Sequence, residues 1–373
     1  MSRFRDIGHR LYAGEVSYDF VGRRNRWYVI SAVILVVAIG ALLFRGLNLG
    51  IEFRGGAEFT LPNATCTVED ARASAESATG GQAIVTETAS GTVRVQTEAL
   101  TPAASVDVAT QLADTCGVAK DDIKAQVVGP TWGAEISQKA LQGLVVFLLL
   151  VTIFLSIYFE WRMAAAALVA LAHDLLITIG IYALTGLEVT PATVIGLLTI
   201  LGYSLYDTVV VFDKVKENTK GIGGQSVLTY SDAANLAVNQ TLVRSINTSV
   251  VALLPVIAII VVGAGFLGAG TLLDLAVALA IGMAAGTYSS IFVATPFLAQ
   301  LKERQPEMKA LAARVASRRK QGRTAAKAAT AGGESGAEGE EPSSAASRPA
   351  TTTRVDSASR QQPRRQSRSR RKS

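Results

Sequence analysis

Six apolar runs of about 18 residues or more divide the chain, at about 27–47, 137–158, 163–185, 191–212, 246–264 and 271–298. A helix of that length matches the hydrocarbon thickness of a bilayer, so the pattern predicts six membrane-spanning helices. The first run is too long for a cleaved leader, and no Ala-x-Ala type of site follows it near Leu47 and Asn48. It therefore reads as a retained span.

Residues 48–134 carry a different pattern. Ala57–Leu61 is a strand candidate, and Thr67-Val-Glu-Asp70 forms a capping-box signature that opens a helix to about Ala78. Gln82–Thr88 and Thr92–Glu98 alternate apolar and polar positions around Ser90-Gly91, a hairpin signal. Thr101-Pro102 fits an N-cap with Pro at the first helical position, and Gly117 suits the C-terminal end of that helix. A strand closing at Val128 completes the order β-α-β-β-α-β, the ferredoxin-like plan. The expected organisation is a terminus at 1–26, a span at 27–47, an α/β domain at 48–134, a five-helix bundle at 135–300 with a loop at 213–245, and a tail at 301–373. From about residue 315 the tail holds almost no large apolar residues and is expected to be disordered.

Lys and Arg gather at one set of span ends. Arg23, Arg24 and Arg26, with Arg3, Arg5 and Arg10 further out, precede the first span; Arg162 joins the second and third; Lys214, Lys216 and Lys220 follow the fourth; Lys302 and Arg304 follow the sixth. The joints at 186–190 and 265–270 carry none, and Arg45 alone breaks the pattern. The positive-inside bias then places both termini in the cytoplasm and 48–134 outside. The net charge of +6 invites a nucleic-acid reading. Basic cytoplasmic flanks account for it more simply, through anionic lipids. The cluster from Arg364 to Lys372 is assigned to lipid headgroups, with ribosomal RNA as the alternative and no specific nucleic acid. Both cysteines, Cys66 and Cys116, fall in the outer segment, where a disulfide is permitted, and spacing alone leaves pairing open. The chain has two histidines, His9 and His173, and no spacing that suggests a metal site or a cofactor.

The chemistry lies in the spans. A carboxylate inside a membrane helix costs roughly 2.5–3.5 kcal/mol on insertion scales, and such residues line cavities or meet partners. Asp207 sits about five residues from the inner end of the fourth span, with Tyr203 and Ser204 one turn back on its face. His173 and Asp174 lie about twelve residues beyond Arg162, roughly 18 Å deep at the helical rise. Arg244 stands at the mouth of the fifth span, followed by Asn247 and Thr248. An Arg that approached Asp207 would favour its ionised form, and one that withdrew would let burial favour the neutral form. A pair of that kind can bind and release a proton, and a permanent ion pair is the structural alternative. Asp274, near the outer boundary, reads as a charge at a helix N-terminus. Gly282-Met-Ala-Ala-Gly286 permits close helix contact.

Several segments resemble the SecF family in order along residues 20–300: Gly50-Ile-Glu-Phe-Arg-Gly-Gly56, Val128-Gly-Pro130, Ala172-His-Asp174, Gly202-Tyr-Ser-Leu-Tyr-Asp207 through Asn218, Gln240-Thr-Leu-Val-Arg244 and Gly286-Thr-Tyr-Ser-Ser290. The sequence departs at Glu52, where the family usually has Asp, and at Tyr206, where many members have Asn. The resemblance implies an RND-type half-bundle of the bacterial inner membrane that pairs with SecD. It implies an accessory complex of the SecYEG translocon, with a YajC-like subunit, that uses the proton motive force to promote preprotein movement at the outer face. It places Asp207 and Arg244 in a proton pathway shared with SecD, with Asp174 as a further member. It implies a transporter and not an enzyme. Three other readings use the same residues: an intramembrane aspartyl protease, half of a small-molecule exporter, and a non-conducting scaffold of the translocon. The protease reading lacks its Gly-x-Gly-Asp motif, and no Walker loop suggests ATP as fuel.

Overall fold

A computed structural model of the chain describes residues 17–87, 91–263 and 270–331. Arg3, Arg5, His9, Arg10, the hairpin tip at Ser90, most of the joint at 265–270 and the basic cluster at 364–372 lie outside the described residues.

Among the described residues, six helices are long and apolar enough to cross a membrane. They begin with α1 (Arg24–Arg45), which leads through the short β1 (Asn48–Leu49) and α2 (Ile51–Arg54) into the α/β domain. That domain runs β2 (Gly56–Leu61), α3 (Val68–Thr79), β3 (Ile84–Glu87), β4 (Val93–Thr97), α4 (Pro102–Cys116) and β5 (Lys124–Val128). Its sheet has the order β3-β4-β2-β5 with every neighbour antiparallel. The local signals explain the elements. Thr67 and Asp70 make the reciprocal capping box at the start of α3, and Thr101 caps α4 ahead of Pro102. Strand alternation buries Ala57, Phe59 and Leu61 of β2 and Val93 and Val95 of β4 against Ala71, Ala75, Val108 and Leu112. Gly55 and Gly56, at φ +77° and +153°, turn the chain from α2 into β2 in conformations closed to other residues.

Cys66 and Cys116 form a disulfide with their Cα atoms 4.4 Å apart. It clips the segment before α3 to the end of α4, where Thr65 N also donates to the Cys116 carbonyl. The bridge spans 50 residues. Closing a loop of that size stabilises a small domain by typically 2–4 kcal/mol, or about 4 by chain-entropy estimates. Reducing the bridge, or the double substitution Cys66→Ala with Cys116→Ala, is therefore expected to open the α/β domain to proteolysis well below the temperature at which the oxidised protein is cut. Unchanged limited proteolysis would show that the sheet core suffices.

The bundle continues with α5 (Pro130–Tyr158), α6 (Trp161–Thr185), the short β6 (Glu188–Val189), α7 (Pro191–Asn218) and α8 (Tyr230–Val262). Next, α9 (Gly270–Ser289) passes through a π turn at Ser290–Ala294 into α10 (Thr295–Glu303). The most apolar windows of α6 and of the α9–α10 span are 56% buried, against 11% for α1 and α5. These two spans therefore form the centre, and α1 and α5 present Val33, Val36, Leu43, Phe44, Leu149 and Ile157 outward. The parallel pair β1–β6 ties the entry to the α/β domain to the α6–α7 joint.

Two segments differ from expectation. The loop expected at 213–245 is mostly helix: α7 extends to Asn218, and α8 starts at Tyr230 behind a capping box of Thr229 and Asp232. The first turns of α8 hold the chain before α1, with Asn239 Oδ1 accepting from Tyr18 N and Asn235 Oδ1 from Phe20 N, both at 2.8 Å. The tail is also not disordered from 315, because α11 (Pro306–Ala331) is helical through that point. Ala, Arg, Lys and Gln favour helix intrinsically. Leu311 and Val315, one turn apart, are buried against Ile222 and Ala233. Two anchors replace the core that composition could not supply.

Candidate functional site

The seam where α7 meets α6, α8 and α9 collects the polar side chains of the bundle. Glycine makes that seam close. A Cβ at Gly282 would lie 2.3 Å from Ile200 Cδ1, and one at Gly286 would lie 2.8 Å from the Cβ of Ser204. At this separation, short hydroxyl side chains reach across from one helix to the next.

Asp174 is fully buried on α6. Its Oδ2 accepts from Ser204 Oγ of α7 at 2.5 Å, and its Oδ1 lies 3.3 Å from His173 Nδ1. The His173 ring stacks on Tyr288, whose hydroxyl shares a hydrogen with Ser31 Oγ at 3.0 Å. His173 Nε2 is buried without a hydrogen-bond partner among the described residues. Asp207 is three residues beyond Ser204 on the same helix and 7% exposed. Both of its oxygens accept from serines: Ser245 Oγ of α8 at 2.6 Å to Oδ1, and Ser290 Oγ at 2.5 Å to Oδ2. Ser290 opens the π turn, a widened turn that recurs at functional positions and here aims a hydroxyl into the seam. The hydroxyls continue along the seam, with Ser249 Oγ 2.7 Å from Thr287 Oγ1 and Tyr203 OH donating to Ser249 at 3.5 Å.

The expected partners of Asp207 are thus corrected. Ser204 serves Asp174, and Tyr203 turns to Ser249, because the adjacent helices are nearer to these side chains than their own helix face is. Arg244 makes no ion pair with Asp207 among the described residues. It is exposed, and its Nη2 donates to Tyr206 OH at 3.3 Å in a cleft lined also by Val209, Val210, Asp213 and Thr241. Asn247 is exposed and Thr248 half-buried. Ser245, Ser249, Thr287 and Ser290 were not singled out from the sequence. Their signal was the i, i+4 and i, i+3 spacing of hydroxyls on helices already expected to touch.

Chemically, Asp207 is held by two neutral hydroxyls, and Asp174 by one hydroxyl with the His173 ring beside it. A hydroxyl both donates and accepts, so Ser245 and Ser290 can hold either protonation state of Asp207 by rotating. Among the described residues no group of His, Cys, Asp or Glu side chains is arranged to hold a metal ion.

Comparison with known proteins agrees with the geometry. The family described as protein export membrane protein SecD/SecF, C-terminal, matches residues 107–304, and the SecD/SecF GG motif matches 40–62, around Gly55 and Gly56. A protein translocase subunit SecF from Streptomyces coelicolor is 52% identical over 348 residues, covering 93% of both chains. Another from Mycobacterium tuberculosis H37Rv is 43% identical, covering 90% of this chain and 80% of the relative. The crystal structure of SecDF from Thermus thermophilus, described as a translocon-associated membrane protein, superposes with a TM-score of 0.69 at 31% identity. That match covers 78% of this chain and 39% of the longer SecDF chain. Matched over more than half its length by the family and nearly end to end by these relatives, the chain belongs to the SecD/SecF family of multi-pass membrane proteins, as a SecF subunit of protein translocase.

Proposed function

We propose that this SecF subunit is one half of a proton-driven motor for protein export, completed by SecD and acting beside the SecYEG channel on preproteins. The observation that carries the reading is Asp207. It is buried in the bundle and held on both oxygens by serine hydroxyls, and the cation expected beside it, Arg244, lies one residue before Ser245 on the outside of the bundle. An acid without its counter-charge, next to an exposed Arg in an open cleft, fits half of a site that a second subunit completes. SecD brought against this cleft would draw Arg244 toward or away from Asp207 and so set its proton occupancy. Asp174, Ser204 and His173 form the neighbouring station.

The rest of the reading follows the same frame. Both termini lie in the cytoplasm of a bacterium, and the α/β domain lies outside, in agreement with its disulfide and with the basic residues at the opposite span ends. The β-α-β-β-α-β order with its β3-β4-β2-β5 sheet fits the ferredoxin-like plan. A YajC-like subunit and anionic lipids at the basic tail complete the set of partners, no cofactor is required, and the protein is a transporter component and not an enzyme.

Proteoliposomes containing this chain and SecD test the reading. Under an imposed potential they are expected to pass protons at a rate well above that of liposomes holding either subunit alone. Equal flux in all three would leave only a scaffold role.

A further inference from the structure

The α/β domain meets the bundle through an unbalanced set of charges. On the sheet face turned away from α3 and α4, Arg94 of β4 lies between two carboxylates: Nε is 3.3 Å from Glu58 Oε1 of β2, and Nη1 is 2.9 Å from Glu188 Oε2 of β6. Gln96 Nε2 donates to Glu58 Oε2 at 2.9 Å and to Glu188 Oε1 at 2.7 Å. Glu58, Arg94 and Gln96 belong to the domain, whereas Glu188 belongs to the α6–α7 joint of the bundle. Two more acids face the same place. A Cβ at Gly50 would lie 2.7 Å from Glu52 Oε2 of α2 and 2.9 Å from Glu188 Oε1, so those oxygens crowd one point. Asp274, near the start of α9, is close enough for the charges of Arg94, Glu52 and Glu58 to act on it.

Glu58 and Glu188 therefore share one guanidinium, with Glu52 and Asp274 close to Glu188. Among the described residues, Arg45 and Arg54 are turned to backbone, Arg45 Nη1 donating to the Leu184 carbonyl and Arg54 Nη2 to that of Leu47. Tyr182 of α6 likewise donates to the Asp274 backbone carbonyl. Among the described residues, Glu52 Oε2 is buried with no hydrogen-bond donor and no acids are arranged to hold a metal ion. What relieves a half-buried surplus of carboxylates in that case is a proton.

We propose that this junction is a proton-operated clasp: a proton bound at Glu188, where it faces Arg94 and Gln96 of the sheet, closes the α/β domain onto the bundle, and its loss loosens the domain. Glu188 shows the direction. Burial pushes its carboxyl above the ordinary range by more than Gln96 and Arg94 lower it, and Glu58 and Asp274 add to the rise. A group that binds its proton more tightly when docked than when exposed favours docking at low pH, and that contribution is lost as pH rises through the docked value. Loosening pivots the domain without detaching it, because β1 stays paired with β6 while Gly55 and Gly129 flank the domain. The clasp stands apart from proton transfer at Asp207; only its place on the proton-rich side rests on the orientation proposed above.

The test is a distance measurement on the full chain with SecD in lipid nanodiscs. Spin labels go on Ser77→Cys of α3 and Gln138→Cys of α5, both exposed, while Cys66 and Cys116 remain paired. Between about pH 5 and about pH 8 the distribution is expected to pass from narrow to broad, the loosened fraction rising by up to about tenfold per pH unit for one proton bound. Glu188→Gln keeps the hydrogen-bonding shape and removes one negative charge, so it should hold the distribution narrow at the upper pH. Arg94→Gln removes the single shared cation, so it should broaden the distribution and require a lower pH to narrow it. A plain salt bridge would loosen in both variants. Loosening by Glu188→Gln, or a wild-type distribution indifferent to pH, overturns the clasp; the wild-type titration needs no change in the junction itself. Asp207→Asn should leave the pH response intact, so failure of the clasp and failure of proton transfer are read separately.

Discussion

Replacing Asp207 by Asn is expected to reduce export to the level seen without a membrane potential, while the complex with SecD still assembles. Asn matches Asp in shape. Its Oδ1 can accept from Ser245 or Ser290, and its amide can donate to the other once that hydroxyl rotates. The cost to the fold is therefore that of one rearranged hydrogen bond, about 1 kcal/mol. The cost to function is complete, because an amide does not titrate in this range and the station between Ser245 and Ser290 can no longer be loaded. Each charge moved through 100 mV carries roughly 2.3 kcal/mol, a factor of about fifty in rate or population. Translocation of a preprotein into inverted vesicles, with and without an imposed potential, is the measurement. Asp207→Glu retains the acid and should keep part of the stimulation. Vesicles carrying Asp207→Asn that remain fully stimulated would remove Asp207 from the proton route and leave the scaffold reading in possession.

The order of elements was legible because its signals are local. Apolar runs of bilayer length, the capping box at Thr67 and Asp70, and the alternation in β2 and β4 each specify structure within a few residues. Asp174 and Asp207 were legible because a carboxylate in a membrane helix is too costly to be incidental. Their partners were not. Hydroxyls in these helices often bond back to their own backbone, as Thr152, Thr178 and Thr199 do. Nothing in composition separates those from Ser204, Ser245 and Ser290, which cross to another helix. That difference is set by how closely the helices approach, a property of the pair and not of either segment. The same limit hid the junction at Arg94, where Glu52 and Glu58 meet Glu188 and Asp274 from segments far apart in sequence. The helical content of 213–245 and of the tail was missed for a related reason. Segments with few large apolar residues looked unable to pack, yet Leu311, Val315 and the two asparagines at 235 and 239 are enough once a neighbour is in place.

Close approach can itself be tested at Gly286. A Cβ there would meet Ser204 at 2.8 Å from its Cβ, 3.0 Å from its Oγ and 3.3 Å from its Cα. These atoms belong to the base of the side chain and to the backbone, so no rotamer change makes room, and α7 and α9 must separate. Overpacking of this kind costs about 1–3 kcal/mol, roughly 2–10 °C in Tm for a bundle of this size. Gly286→Val is expected to do more than destabilise. Moving α9 from α7 draws Ser204 off the hydrogen bond to Asp174 and carries Ser290, one turn further along, away from Asp207. Loss of both stations should abolish potential-driven export even at temperatures where the variant stays folded. Gly202→Ala provides the control, since a Cβ at that position of α7 has nothing within 4 Å. It should melt and export like the unaltered protein. A Gly286→Val complex with unchanged melting and full coupling would show that the seam tolerates separation, and that the two carboxylates are positioned by something other than the contact of α7 with α9.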